Sequence, residues 1–294
     1  MMAFLSNLVN GISLGSIYAI IALGYTMVYG IAKMLNFAHG DVIMVGAYIA
    51  FCAAQYWGFP PVLALLVAMA VCTLLGVTIE KLAYAPLRQA TSLAVLITAI
   101  GMSYLLQNLA LLIWGANPKV FPDLIGLGSI ALFDGQLVVK GATLVTIAAN
   151  IVIMVALTLF TARTKMGKAM RCVSEDRGAA ELMGIHVNGT ISLTFAIGSF
   201  LAAIAGFLLC SSYPVLQPTT GSMPGIKAFT AAVFGGIGSI PGAMVGGVLL
   251  GVIEILGKAY ISTELGDAIV FAVLIIVLLV RPTGLMGKAT REKV

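Results

Sequence analysis

FLSNLVNGISLGSIYAIIALGYTMVYGIA, the stretch from Phe4 to Ala32, contains no Asp, Glu, Lys or Arg. One helical crossing of a bilayer needs about 20 predominantly apolar residues, so this stretch is long enough to cross. Further charge-free runs follow it along the chain: 42–79, 89–118, 141–162, 182–226, 228–253 and 268–280. These runs are continuously apolar and do not alternate between apolar and polar residues. They therefore predict membrane-spanning helices rather than the strands of a barrel.

The composition of the 294-residue chain also indicates a protein that lies mostly in a bilayer. Hydrophobic residues make up 61% of the chain and charged residues 9%, whereas soluble domains have about 45–50% and about 25%. So few charges cannot cover the surface of a soluble protein. We therefore exclude a soluble enzyme, a nucleic-acid-binding protein and a disordered chain.

The lengths of the runs predict an all-α polytopic membrane protein with about eight or nine transmembrane helices, some of them short or broken. Val42–Ile79 has room for two crossings, separated at Trp57–Pro61, and Leu182–Ile226 for one crossing followed by a polar tail. We expect a single transmembrane domain over residues 1–294. Its first helix should remain uncleaved, because no positive region precedes the apolar run.

The charged residues between the runs predict which loops face the cytoplasm. The net charge is +5, and the basic residues cluster. Three segments are basic: Lys81 with Arg88; Arg163, Lys165, Lys168, Arg171 and Arg177; and the tail with Arg281, Lys288, Arg291 and Lys293. Basic loops stay in the cytoplasm. Residues 115–140 balance Lys119 and Lys140 against Asp123 and Asp134, so they are expected outside. Two crossings before residue 57 would place the N-terminus outside.

Asn36, His39 and Asp41 stand together beside the first apolar run. His and Asp at a membrane suggest a proton relay or a substrate contact. The simpler interpretation, which we favour, is that Asn36 or Asp41 caps a helix that begins near residue 41, with His39 in the same turn.

The glycine-rich stretch from Gly235 to Gly242 also contains Pro241 and cannot remain a regular helix. Either it is broken backbone at membrane depth, which often borders a transport path, or it is a hairpin loop at the membrane face. Gly238, Gly242 and Gly246 recur every four residues, and Gly247 and Gly251 repeat this interval, a spacing that lets helices in lipid approach closely.

The basic loop over about residues 163–188 has the signals of a short helix. Ser174, Glu175 and Asp176 are typical of a helix start, and Gly184 of a helix end. Such a helix is too short to cross the bilayer. With Ala179 and Ala180 it suits docking to another protein, which we favour over a solvated loop that only orients its neighbours.

Three other features of the sequence indicate structural roles or exclude a function. Glu254 and Lys258 are spaced to pair along one helix face, and we interpret them as a structural pair near the interface. The four cysteines lie far apart and predict helix packing rather than a metal site or a disulfide. The sequence contains no GxxxxGK[ST] motif, so the chain binds no ATP through a P-loop of its own.

The segment Gly11–Ile31 followed by Met34–Asp41 resembles the LivH-type permease of branched-chain amino acid ABC importers. Gly178-Ala-Ala-Glu-Leu-Met-Gly184 and Phe234-Gly-Gly-Ile-Gly-Ser-Ile-Pro-Gly-Ala243 also resemble this group. The likeness covers nearly the whole chain in order. It does not separate this group from the related permeases for urea and short amides.

This resemblance implies a non-catalytic permease subunit in a bacterial inner membrane that carries leucine, isoleucine or valine. It implies a second, homologous permease, two cytoplasmic ATPase subunits that use the ATP, and a periplasmic binding protein. The chain itself would bind no cofactor or metal. Permeases of one importer class carry a coupling helix with the pattern Glu-Ala-Ala-x-x-x-Gly. Ala179, Ala180 and Gly184 match this pattern, while Gly178 replaces the Glu.

The candidate residues therefore form two sets. Candidates for the substrate pathway are Tyr25, Thr26, Tyr29, Asn36, His39, Gly235, Gly236 and Gly238. Candidates for ATPase docking are Ser174, Glu175, Asp176, Ala179, Ala180 and Gly184. Two other functions stay open: a urea or short-amide permease of similar build, and an ion-coupled carrier in which His39, Asp41 and Glu254 form the relay.

Overall fold

A computed structural model describes residues 2–132 and 137–287 of the chain. Asp134 and the tail residues Lys288, Arg291 and Lys293, which entered the prediction of sidedness, lie outside these described residues. The helices of the described part are α1 (Met2–Ala32), α2 (His39–Gln55), α3 (Pro61–Ile79), α4 (Ser92–Trp114), α5 (Gly141–Arg163), α6 (Lys165–Glu175), α7 (Arg177–Leu182), α8 (Val187–Ser212), α9 (Ser222–Gly235), α10 (Ile240–Tyr260) and α11 (Gly266–Val280).

Short elements connect these helices. A π-helical turn over Glu80–Tyr84 and a 3-10 turn over Ala85–Leu87 extend α3. The strands are β1 (Lys119–Val120), β2 (Ile130–Leu132), β3 (Leu137–Val139) and β4 (Val215–Leu216). They form two small antiparallel pairs, β1 with β4 and β2 with β3.

The structure confirms a mostly helical protein with several membrane-spanning segments. Within the described residues, six helices are long and apolar enough to cross a bilayer: α1, α3 with its extension, α4, α5, α8 and α10. Three further helices in the described part are shorter, with 17 residues in α2, 14 in α9 and 15 in the apolar helix α11. A total of eight or nine crossings stays a prediction, because it depends on how these short helices sit in the bilayer.

Long-range contacts divide the connecting segments between two ends of the bundle. At one end, Arg177 donates to the carbonyl oxygen of Ala32, and Arg88 donates to the side chain of Asn188. At the other end, Lys119 in β1 pairs with Leu216 in β4. We name these the basic end and the opposite end. This grouping agrees with the alternation of loops that the charges predict, and α1 runs from the opposite end to the basic end.

Helices α2 and α9 begin inside the bundle rather than at its ends. A Cβ atom on Gly24, deep within α1, would lie 2.4 Å from Nε2 of His39, the first residue of α2. A Cβ atom on Gly40 would lie 2.7 Å from the carbonyl oxygen of Gly221, directly before α9. Residues 33–38 therefore enter the bundle from the basic end, and residues 213–221 enter it from the opposite end. Such non-helical backbone is tolerated at membrane depth because protein surrounds it.

The packing order reveals two repeats that run in opposite directions. Helix α1 packs along α10, and its counterpart α8 packs in the same way along α3. Helix α2 contacts α8, and its counterpart α9 contacts α1. Helices α1–α4 and α8–α11 thus match each other in order with inverted direction. Their first members cross where the backbones of Gly24 and Gly198 meet. Inverted repeats with broken helices at their interface are typical of membrane transporters.

The close contact of α1 with α10 depends on glycine. A Cβ atom on Gly247 would lie 2.5 Å from the backbone of Ala19, and one on Gly251 would lie 2.2 Å from the backbone nitrogen of Gly15. Real Cβ atoms do not approach backbone so closely, so no larger side chain fits at these positions. The structure confirms the prediction that small residues at four-residue spacing allow close packing.

Candidate translocation and docking sites

Tyr25 and His39 meet where α2 and α9 begin inside the bundle. We call these two helices the half-helices. Their ring centroids are 4.7 Å apart, and the ring of Tyr25 is 5.6 Å from that of Phe229 in α9. Both side chains are buried. No hydrogen-bond partner for Nε2 of His39 is found in the described part of the chain. These predicted pathway residues therefore form one aromatic cluster that joins α1, α2 and α9.

Three other predicted pathway residues, Thr26, Tyr29 and Asn36, have different surroundings. Thr26 is buried, and its Oγ1 finds no partner among the described residues. Tyr29 is half-buried, one residue before Gly30, whose Cβ would lie 3.2 Å from Gly238 at the basic end. Asn36 is buried, and its Oδ1 accepts a hydrogen bond of 2.9 Å from the hydroxyl of Tyr84.

The favoured prediction that Asn36 or Asp41 caps a helix was wrong. Helix α2 begins at His39 after Ala38, and no side chain caps it. The amides of Asp41 and Val42 donate instead to the carbonyl oxygen of Ala38, at 3.0 and 3.1 Å. The side chain of Asn36 is held by Tyr84, and that of Asp41 accepts from Gln107 at 2.9 Å. Tertiary partners thus compete successfully with local capping.

Gly235, Gly236 and Gly238 lie at the basic end, away from the half-helix junction. They form the turn between α9 and α10, where Gly236 and Gly238 have φ of 106° and 93°, values that favour glycine. The amide of Met286 donates to the carbonyl oxygen of Gly235 at 3.0 Å. Of the two interpretations, the hairpin loop is the one the structure contains. The broken backbone at depth lies in residues 33–38 and 213–221 instead.

Asp41 is the centre of a polar network that the sequence did not indicate. Nε2 of Gln107 in α4 donates to Oδ1 of Asp41 at 2.9 Å and lies 3.2 Å from the hydroxyl oxygens of Ser103 and Ser222. Asp41 is 1% exposed. It lies in the first turn of α2, where the positive end of the helix dipole stabilises a carboxylate. The network joins both half-helices to α4.

Glu254 is the centre of a second, ionic network. Its Oε1 accepts from Lys227 at 2.7 Å and from Lys258 at 2.5 Å, and its Oε2 accepts from the hydroxyl of Tyr18 at 2.9 Å. Asp267 completes the network by pairing with Lys227 at 2.5 Å. The predicted pair of Glu254 and Lys258 forms, and Glu254 is 1% exposed, so its carboxylate is buried within the bundle. The missed member is Lys227, which the sequence showed only as a break between two apolar runs.

A cavity of about 410 Å³ opens beside this network at the opposite end. Its polar lining includes Asn7, Ser13, Lys140, Tyr213 and Lys258. Burial raises the pKa of the Tyr213 hydroxyl above its ordinary value, and nearby Glu254 adds to the shift. Tyr213 therefore remains a neutral hydrogen-bond donor at physiological pH.

The predicted docking segment is divided between two helices. Ser174 and Glu175 end α6, and the side chain of Asp176 caps α7 by accepting from the amide of Ala179 at 3.0 Å. The prediction that one helix begins at Ser174 was wrong, because Asp176 has an extended backbone and interrupts it. Gly184 ends the segment as predicted, with φ of 77°.

Helices α6 and α7 present an apolar surface at the basic end. Met170, Val173 and Ala180 are buried against the bundle. Leu182 and Met183 project outward and are 89% and 81% exposed, while Ala179 is also exposed. An open groove of about 720 Å³ runs between the two helices, bordered by Lys168, Arg171 and Ala179 among others. Exposed apolar side chains beside a groove are typical of a protein-binding surface.

The family model for the branched-chain amino acid transport system, permease component, matches residues 7–278. The chain belongs to this family. It is 46% identical over 309 residues to the high-affinity branched-chain amino acid transport system permease protein LivH of Escherichia coli K12, covering 99% of this chain and 98% of that protein. It is equally identical, over 302 residues, to the permease protein BraD of Pseudomonas aeruginosa, with the same coverage.

A solved structure has the same fold as this branched-chain permease family member. The chain matches a chain of PsaBC from Streptococcus pneumoniae, solved in complex with a Fab, with a TM-score of 0.51 over 93% of this chain and 91% of that one. The sequences are 15% identical, so this likeness concerns the fold alone. Distant sequences can therefore share this overall fold.

Proposed function

We propose that this chain is the membrane-spanning permease subunit of an ATP-driven importer for leucine, isoleucine and valine in a bacterial inner membrane. The observation that carries the proposal is full-length similarity to LivH and BraD on a fold with inverted repeats around two half-helices. The chain contributes the pathway and no catalytic group. A periplasmic binding protein would deliver the amino acid, and ATP hydrolysis would take place on two cytoplasmic partner subunits.

The proposed pathway borders the junction of α2 and α9, and a second, homologous permease would complete it. Broken helices whose ends meet inside a bundle commonly form transport sites, because the fixed dipoles of their termini line the path. Tyr25 and His39 lie at this junction, so we retain them as pathway candidates. Gly235, Gly236 and Gly238 would act at the basic end, where the substrate leaves.

The proposed docking segment is the loop of about residues 163–188, and its contact surface includes Ala179, Leu182 and Met183. When the ATPase pair closes on ATP, α7 moves with it. The hydrogen bond from Arg177 to Ala32 carries this movement to the end of α1 and to residues 33–38, which lead directly into α2. The two repeats would then tilt against each other, so that the pathway opens to alternate sides.

Uptake of labelled leucine tests the proposal. Cells lacking this gene and cells with the gene restored are compared at micromolar leucine, with and without excess urea or acetamide. The measurement is repeated with an uncoupler while ATP is maintained, and again with ATP depleted. We expect gene-dependent uptake that urea does not reduce, that survives the uncoupler and that stops without ATP. Uptake that stops with the proton gradient while ATP persists would contradict the proposal.

A further inference from the structure

Helix α4 has a polar edge at its middle, although it lies at the periphery of the bundle. Ser103, Gln107 and their exposed neighbours Tyr104 and Asn108 occupy adjoining positions on this edge. Tyr104 is 63% exposed, and the other exposed side chains of α4 are mainly aliphatic. Polar groups facing lipid at mid-membrane are costly, so this edge is expected to face another subunit or a polar path.

Asp41 fixes which atom of Gln107 joins its hydrogen-bond network. A carboxylate only accepts hydrogen bonds, and the amide nitrogen of Gln107 is the only donor of that side chain. Nε2 must therefore point inward to Asp41, where it lies at 2.9 Å. The hydroxyl oxygens of Ser103 and Ser222 approach the same nitrogen at 3.2 Å. Because the amide nitrogen of Gln107 is engaged with these three oxygens, its carbonyl oxygen Oε1 takes no part in this network.

The partners of Asp41 are all neutral. No Lys, Arg or His contacts its carboxylate among the residues that the structure describes. The N-termini of α2 and α9 stabilise its charge instead, because both helices begin beside it. Gln107 itself is partly exposed, whereas Asp41 is 1% exposed. Asp41 is thus a buried positioning residue that holds Gln107 through a hydrogen bond. Gln107 is the group that a passing molecule can reach.

We propose that Gln107 is a substrate-contact residue, and that its Oε1 accepts a hydrogen bond from the α-ammonium group of an amino acid in transit. An ammonium group donates three hydrogen bonds and accepts none, so a fixed carbonyl oxygen is a suitable partner. A neutral acceptor also binds more weakly than a carboxylate would, and a transport path must release its substrate. This proposal rests on the proposed function, since it concerns the substrate of the same pathway.

The test uses the complete importer in proteoliposomes with its binding protein and ATP. Gln107→Met keeps the length of the side chain and removes the acceptor, and Gln107→Ala removes the group without adding bulk. We expect each to reduce leucine uptake at least tenfold, with normal co-purification of the ATPase subunits. Ile113→Ala is the control, because Ile113 lies on the same helix outside the polar edge and its aliphatic side chain is 66% exposed. It should transport within twofold of the wild type.

A reversed pair separates the proposed role from a merely structural one. In the double variant Asp41→Asn, Gln107→Glu, the new amide donates to the new carboxylate, whose second oxygen remains available as an acceptor. Ser103 and Ser222 can rotate their hydroxyls to donate. We expect this pair to recover at least a third of wild-type uptake. Asp41→Asn combined with Gln107→Met keeps the amide but has no acceptor, and it should remain inactive.

The outcomes distinguish this proposal from the proposed function. Wild-type rates in both Gln107→Met and Gln107→Ala would overturn the role of Gln107 while leaving leucine import established. Loss of subunit assembly in both, with no recovery in the reversed pair, would show that Gln107 is structural and would also overturn it. If the wild-type importer carried no leucine, the proposed function itself would fail.

Discussion

Arg177, the first residue of α7, donates a hydrogen bond to the carbonyl oxygen of Ala32, the last residue of α1. The two residues are 145 positions apart in the sequence. Ala32 directly precedes the non-helical segment that enters the bundle and leads into α2. The contact therefore joins the proposed docking loop to the end of α1, from which residues 33–38 lead into α2.

Replacing Arg177 should uncouple transport from ATP hydrolysis. In Arg177→Ala the docking surface of α7 is intact, but the link to Ala32 is lost. We expect leucine uptake to fall at least fivefold while ATPase subunits still co-purify and hydrolyse ATP. Arg281→Ala is the control, because Arg281 is an exposed arginine that lies outside the docking loop. Equal uptake in the two variants would remove Arg177 from the mechanism.

Acidic residues on the docking surface should prevent ATPase binding. Ala179→Asp with Gly184→Asp places two charges where apolar contact is expected, and Gly184 also loses the residue type that suits its positive φ. We expect transport to be abolished and the ATPase subunits to be lost from the purified complex. The permease should remain in the membrane. Ser262→Asp with Thr263→Asp, at the opposite end, is the control and should leave ATPase binding unchanged.

Glu254 should be the most sensitive member of the ionic network. Glu254→Gln leaves Lys227, which is 7% exposed, without its buried carboxylate, and removal of one partner from a buried pair typically costs about 3–5 kcal/mol. Thermal unfolding in detergent should show a large loss of stability. Lys258 is 33% exposed, so Lys258→Met should cost about 1 kcal/mol or less, because solvent screens its charge.

A neutral double variant of the same network tests whether an unpaired buried charge causes the loss of stability in Glu254→Gln. Lys227→Met with Glu254→Gln removes both buried charges together. The remaining Asp267 and Lys258 are partly exposed and can be hydrated. We expect the double variant to unfold at a higher temperature than Glu254→Gln alone. A double variant as unstable as the sum of its parts would mean that charge pairing is not the reason for the loss.

A side chain at Gly251 should prevent α1 and α10 from packing. A Cβ atom there would lie 2.2 Å from the backbone nitrogen of Gly15, and backbone cannot move aside as a flexible side chain can. Gly251→Val should therefore abolish accumulation of the protein in the membrane. Gly101→Ala is the matched control, since a Cβ atom at Gly101 meets nothing within 4 Å. Immunoblots of membrane fractions measure both, and normal levels of Gly251→Val would contradict the packing.

The sequence predicted the helical class, the alternating ends and the glycine contacts for simple reasons. A charge-free run of sufficient length has few structures available to it in a bilayer, and helix formation depends on neighbouring residues. The docking segment was placed from caps and a terminal glycine, which are also local signals. Its internal boundary was missed because the cap at Asp176 interrupts a stretch of good helix formers.

The pathway candidates were only partly informative. Tyr25 and His39 were chosen because polar residues beside an apolar run are unusual, and they meet in the structure. Gln107, Ser222 and Lys227 were missed because each looks ordinary in its own segment. Gln107 is separated from Asp41 by 66 residues and from Ser222 by 115. No local periodicity can show that they share hydrogen bonds.

The sequence by itself determined that this protein is a bundle of membrane helices with one strongly basic loop and closely packed glycines. Only the tertiary structure decided that α2 and α9 begin beside each other and that Asp41 accepts a hydrogen bond from Gln107 of α4. The physical reason is the range of the interactions. Hydrophobic length and helix signals act within a segment, whereas a buried carboxylate obtains its partners from whichever helices the fold brings beside it.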